Sequence, residues 1–94
     1  ADFLNDESTQ DFLELISKEN FDVCINNAGI NRIDPFCEVR QEDWDDIIKV
    51  NLSTPFRIQQ AVAGPMVKNK YGRIVNIASV WSIISTPHRA SYSY

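Results

Sequence analysis

Phe21-Asp22-Val23-Cys24-Ile25-Asn26-Asn27-Ala28-Gly29 is the stretch on which the reading of this chain turns. Its apolar run reads as a buried strand that stops abruptly. Two amides, one alanine and one glycine then leave the backbone bare. In an open α/β sheet, a strand end of small residues is where a ligand can approach the main chain.

Outward from it, the neighbouring elements follow. Before it, Asn5 suits a helix N-cap, and Asp6 and Glu7 suit the positive end of a helix dipole. Ser8, Phe12, Leu15 and Ile16 recur at helical spacing, which predicts a helix over about 6–18, ending near Asn20. The strand over 21–26 is too continuously apolar for a wet face, as in parallel sheets covered on both sides. After it comes a loop over 30–39. Glu42 and Asp43 then open a helix whose apolar positions Trp44, Ile47, Ile48, Pro55, Val62 and Met66 could carry it to Asn69. Pro55 and Pro65 should kink or split it, and Gly72 is the expected left-handed cap. Residues 73–79, Arg-Ile-Val-Asn-Ile-Ala-Ser, read as a second buried strand. The rest, from Val80 to Ser91, reads as loop. Helix, strand, long helix, strand implies an α/β fold with a parallel sheet. Two strands alone would leave such a sheet uncovered, so a segment of a longer chain is expected.

Composition narrows the class. The 94 residues suffice for one small domain, and 44% hydrophobic with 23% charged content is that of globular proteins. A formal net charge of −4 and the lack of a basic cluster argue against nucleic acid as a partner. No apolar run is long enough for a membrane span, and residues 1–6 have no basic leader region. Cys24 and Cys37 show no C-x-x-C spacing, and with one histidine they cannot complete a zinc site, so no metal is expected. Two reduced thiols fit a cytoplasmic protein.

Four features, in order, resemble the central part of the short-chain dehydrogenase/reductase family. Residues 22–29, Asp-Val-Cys-Ile-Asn-Asn-Ala-Gly, resemble its D-x-L-V-N-N-A-G strand end. Val50-Asn51-Leu52 resembles the V-N-L of its long central helix. Residues 72–79, Gly-Arg-Ile-Val-Asn-Ile-Ala-Ser, resemble the strand that carries its active-site serine. Tyr92 falls 13 residues beyond Ser79, the family's usual distance to the active-site tyrosine. The match runs over essentially all of 1–94. It implies a doubly wound Rossmann fold, of which this chain is a single partial domain. The family's glycine-rich phosphate turn would lie before Ala1, and its lysine, four residues after the tyrosine, beyond Tyr94.

The resemblance also implies an activity: hydride transfer between NAD or NADP and a carbonyl or secondary alcohol. Tyr92 would be the general acid/base. A free phenol, with a pKa of about 10, needs a nearby cation to act near neutral pH. Ser79 would orient the substrate oxygen. Asn51 would join a water-mediated proton relay, and its simpler reading is an amide that holds a helix kink near Pro55. Asn27, Ala28 and Gly29 would face the adenosine half of the cofactor, with Asp2 and Phe3 at the adenine ring and Tyr92 at the nicotinamide end. Asn26 is expected to tie neighbouring strands together. Trp81, Ile83, Ile84, His88 and Arg89 would line the substrate pocket, and the segment 30–36 could add polar groups from its other side, loosely resembling sugar-acid and polyol members. A homodimer or homotetramer paired through the long helix is the implied assembly.

Competing readings remain distinct. Tyr94 is the alternative acid/base, two residues too far from Ser79. A nucleophilic Ser79 is disfavoured, because Ala78 and Val80 replace the glycines of a nucleophile elbow. A non-catalytic fragment or interaction unit of the same fold is the alternative at the level of function.

Overall fold

The structure, a computed structural model, describes residues 1–79, 83, 88 and 90–93. Helix α1 (Asp6–Ser17) starts as its sequence predicts: Asn5 is extended, and its side-chain oxygen accepts the Ser8 N–H at 2.8 Å. Its buried stripe is Thr9, Leu13 and Ile16, with Phe12 half-buried. Leu15, expected on that stripe, is 61% exposed. The paired apolar residues 12–13 and 15–16 are compatible with two helix faces, and packing against a second helix selects the one through Leu13.

Strands β1 (Val23–Asn26) and β2 (Arg73–Asn76) pair in parallel, with Val23 opposite Arg73 and Asn26 opposite Asn76. Parallel neighbours need a long crossover. Here it comprises a 3-10 turn (Phe36–Glu38), α2 (Gln41–Ile48), a π-helical turn (Lys49–Ser53) and α3 (Thr54–Lys68). The expected split therefore falls just before Pro55, whereas α3 runs unbroken through Pro65. Proline explains the position. Pro55 has no N–H to donate to the Asn51 carbonyl four residues back, and the Thr54 N–H reaches the Lys49 carbonyl five residues back instead.

Of the expected loop over 80–91, most lies outside the described residues. Its end is a short helix, α4 (Ala90–Ser93), which packs on α2.

Helix α1 lies on α3, and Leu13, Ile16, Ile58, Val62 and Met66 form the core, with Phe3, Phe12, Cys24 and Ala61 against it. Burial raises the Cys24 thiol pKa. Arg57 donates to Gln10 at 2.8 Å between these two helices. Lys49 Nζ ties the π-helical turn to the start of α1, at 2.6 Å from Asp6 Oδ1 and 3.3 Å from the Leu4 carbonyl.

One expectation is met and one is corrected. Two strands alone were expected to leave the sheet uncovered, and Val23 is 50% and Ile25 62% exposed, with β2 exposed throughout. Side chains alternate across a strand: Cys24 reaches the helix layer, while Val23 and Ile25 point to a face that no described element covers. The second concerns the end of α3. The left-handed residue there is Lys70, at φ 58°, and no described glycine has a positive φ. Gly72 is needed for space instead: a Cβ there would lie 2.7 Å from Met66 Cβ, which is anchored to its own backbone.

Gly72→Ala is expected to lower unfolding stability by about 1–3 kcal/mol, through overpacking against Met66. Gly64→Ala, on α3 with nothing within 4 Å of the added methyl, is expected to raise it by up to ~1 kcal/mol. Urea unfolding midpoints distinguish the two. Asp6 provides a pH test. Its hydrogen bond to Lys49, then the charge of Lys49, lowers its pKa from the ordinary 3.8. The pair thus stabilises above that value and the contribution disappears as pH falls through the lowered one. Lys49→Met should return the Asp6 titration, followed by carboxyl NMR, to near the ordinary value.

Candidate functional site

The site is built at the C-terminal ends of β1 and β2. Asn26 and Asn76 occupy the last residue of each strand, and Asn26 Nδ2 donates to Asn76 Oδ1 at 2.9 Å. The amide pair ties the two strand ends together, as expected for Asn26. Asn76 was not singled out from sequence. A signal for it exists, because both four-residue strands end in Asn and parallel pairing without offset brings those ends opposite each other.

Past the strand, the chain runs through Asn27, Ala28 and Gly29 to Ile30, where Asn51 holds it. The Ile30 N–H donates to Asn51 Oδ1 at 2.8 Å, and Asn51 Nδ2 donates to the Ile30 carbonyl at 2.9 Å. Both main-chain groups of one residue are thus satisfied by one side chain. The amide therefore braces the strand-end turn, rather than the kink in its own helix as the simpler sequence reading had it. The kink contributes by placement: the π-helical turn carries Asn51. A Cβ on Gly29 would sit 3.5 Å from Asn51 Oδ1, an ordinary contact, so the clamp itself does not demand glycine there.

An apolar cavity of about 250 Å³ opens beside this turn. Phe3, Asn27, Ala28, Val50 and Pro55 are among the residues of its wall. Phe3 is held in place by Phe12, with ring centroids 5.7 Å apart. Of the proposed adenosine-side residues, Phe3, Asn27 and Ala28 therefore come together, and Gly29 adjoins them. Asp2 does not line the cavity. Its carboxylate accepts the Leu4 N–H at 3.0 Å, and its carbonyl accepts from Asn5 N–H at 3.0 Å, so it shapes the turn that presents Phe3.

The other two candidates come from later segments. Ser79 is half-buried, three residues beyond the end of β2. Tyr92 is half-buried on α4, next to the buried Ser91. Helix α4, which carries Tyr92, packs on α2, and α2 leads directly into the π-helical turn that carries Asn51. The Asp34 N–H donates to the His88 carbonyl at 2.9 Å, which joins the loop after the strand end to the segment leading to Tyr92. Tyr94, Trp81, Ile84 and Arg89 lie outside the described residues. Among the described residues, no group of three His, Cys, Asp or Glu side chains could hold a metal, and no helix is long and apolar enough to cross a membrane.

Comparison with known proteins gives a consistent result. A family model described as short chain dehydrogenase matches residues 1–94. The 3-oxoacyl-acyl-carrier-protein reductase of Escherichia coli K12 is 39% identical over 88 residues, which is 92% of this chain and 36% of that protein. The 5-keto-D-gluconate 5-reductase of the same strain is 43% identical over 74 residues, covering 74% of this chain and 29% of that protein. Among solved structures, a gluconate 5-dehydrogenase from Burkholderia cenocepacia J2315, in complex with NADP and tartrate, superposes with a TM-score of 0.85 at 32% identity. That superposition covers 99% of this chain and 37% of the other. The matched part thus spans between 29% and 37% of the length of these proteins.

Replacing Asn51 with Ala would leave the Ile30 N–H and carbonyl without partners, at an expected cost of about 1–3 kcal/mol. Amide hydrogen exchange at Ile30 should be slow in the wild type and fast in Asn51→Ala. Equal exchange in both would mean that the clamp does not hold in solution.

Proposed function

The chain belongs to the short-chain dehydrogenase family, and on that premise we propose that residues 1–94 are the central segment of an NAD(P)-dependent oxidoreductase acting on a carbonyl or secondary-alcohol substrate. The observation that carries the reading is the Asn51 clamp on Ile30. It fixes a bare strand-end turn beside an apolar cavity, at the sheet end where open α/β folds take ligands.

The residues present fit the adenosine half of a dinucleotide. An aromatic ring at Phe3 and small residues at Ala28 and Gly29 suit a flat heterocycle and its ribose, and the cavity wall is mostly apolar. The dinucleotide, NAD or NADP, supplies the hydride chemistry. The chain supplies orientation and proton handling. Ser79 donates a hydrogen bond to the substrate oxygen. Tyr92 gives its phenolic proton to that oxygen on reduction and takes it back on oxidation. Pro55 has no N–H to give the Asn51 carbonyl four residues back, which supports a water held there, through which a proton can pass toward Tyr92.

A second reading is a non-catalytic interaction unit of the same fold. The exposed Val23, Ile25, Val75 and Ile77 favour it, since they form an apolar sheet surface suited to a partner. The intact mass separates the two: a polypeptide of 10.8 kDa should show no turnover. In an enzyme that includes this segment, Tyr92→Phe should reduce kcat by roughly 10²–10⁴-fold while NADPH binding is unchanged. Full activity in that variant would move the proton-transfer role to Tyr94.

A further inference from the structure

His88 is the lone histidine of the chain and stands four residues before Tyr92. Its backbone lies in the left-handed region, at φ 70°. That region is uncommon for any residue with a side chain, and a β-branched residue there is an outlier. His88 itself is exposed, which leaves its main chain as the part that is held. The His88 carbonyl accepts the Asp34 N–H at 2.9 Å.

The Asp34 end of this bond is well anchored. Asp34 precedes Pro35, which favours extended backbone at Asp34. Pro35 then leads into the 3-10 turn, and its carbonyl accepts the Glu38 N–H at 2.9 Å. The turn continues through Val39 and Arg40 into α2, where the Trp44 N–H donates to the Arg40 carbonyl at 3.0 Å. Helix α2 in turn supports α4. The Tyr92 segment is therefore held twice from one continuous stretch, residues 34–48: through α4 on α2, and through His88 on Asp34. Within α4, Ser91 beside Tyr92 is only 5% exposed.

Rotation about φ of residue 88 swings the chain that follows it. A phenol transfers a proton only within hydrogen-bond reach of the reacting oxygen, and a misplacement of about 1 Å can cost 10²-fold in rate. The conformation of residue 88 thus bears on chemistry four residues away.

We propose that His88 is a positioning residue for the Tyr92 phenol: its left-handed turn, fixed by the Asp34 N–H, aims the segment that delivers Tyr92, and its imidazole is dispensable. The inference rests on the reading of Tyr92 as the acid/base and adds a residue that acts through it. An imidazole that touched the substrate or the transferred proton would rank substitutions by their chemistry. A positioning turn ranks them by their tolerance of positive φ.

The test uses the enzyme that includes this segment, with NADPH and 5-keto-D-gluconate as the probe. His88→Val should lower kcat by about 10–100-fold, with KM and NADPH affinity within about threefold of the wild type. His88→Gly and His88→Asn also remove the imidazole but accept the left-handed region, and should restore kcat to at least about a third of the wild-type value. His88→Ala should lie between, and supplies the same comparison if His88→Val does not fold. The Asp34 amide should exchange slowly in the wild type, His88→Gly and His88→Asn, and fast in His88→Val. Placement of the ring is read without turnover by 19F NMR of 3-fluorotyrosine-labelled enzyme, the Tyr92 signal being assigned by its loss in Tyr92→Phe. That signal should move in His88→Val and stay in His88→Gly and His88→Asn, and it alone decides if the probe is not reduced. Losses in His88→Gly and His88→Asn equal to that in His88→Val assign the role to the imidazole and overturn the inference. A His88→Val enzyme with wild-type kcat and an unmoved Tyr92 signal overturns it too. Wild-type kcat in Tyr92→Phe overturns instead the reading of Tyr92.

Discussion

Asn51 presents a donor and an acceptor on one planar group, and Ile30 presents an acceptor and a donor on its main chain. Their two hydrogen bonds, 2.8 and 2.9 Å, join the helical crossover to the end of β1. A hydroxyl or a carboxylate in that position could not satisfy both partners, because neither offers a donor and an acceptor with that spacing. The clamp depends in turn on the π-helical turn, and that turn accompanies the missing N–H of Pro55. A local backbone irregularity is thereby converted into a long-range constraint. The end of the strand-end turn is held by it.

The sheet and the helix layer are unequally finished. Helices α1 and α3 bury a continuous set of side chains, with Val62 3% and Met66 7% exposed. The opposite face of the sheet carries Val23, Ile25 and Val75 with no described element over them. The site nevertheless lies on the better-packed side, where Cys24 meets the core.

Sequence periodicity located α1, both strands and the crossover, because each is encoded within a few neighbouring residues. The expectation that Asn26 links neighbouring strands is met by its bond to Asn76. Periodicity misplaced features set by distant partners. Asn51 bonds a residue 21 positions away, and no local spacing reveals that. The buried stripe of α1 passes through Leu13 rather than Leu15 because α3 chooses the face. Gly72 suggested a left-handed cap from its position after a helix, whereas Lys70 takes that conformation and Met66 accounts for the glycine.

The Asn26–Asn76 pair has a further consequence, for the path by which the chain folds. The two residues are 50 positions apart, and parallel strands separated by a long crossover must find each other late and slowly. Their apolar residues would tolerate several alignments almost equally. A slip of one position would send one amide to the wrong face of the sheet and strand the other. The pair therefore favours the native register, because a shift of one position forfeits the bond between the two amides.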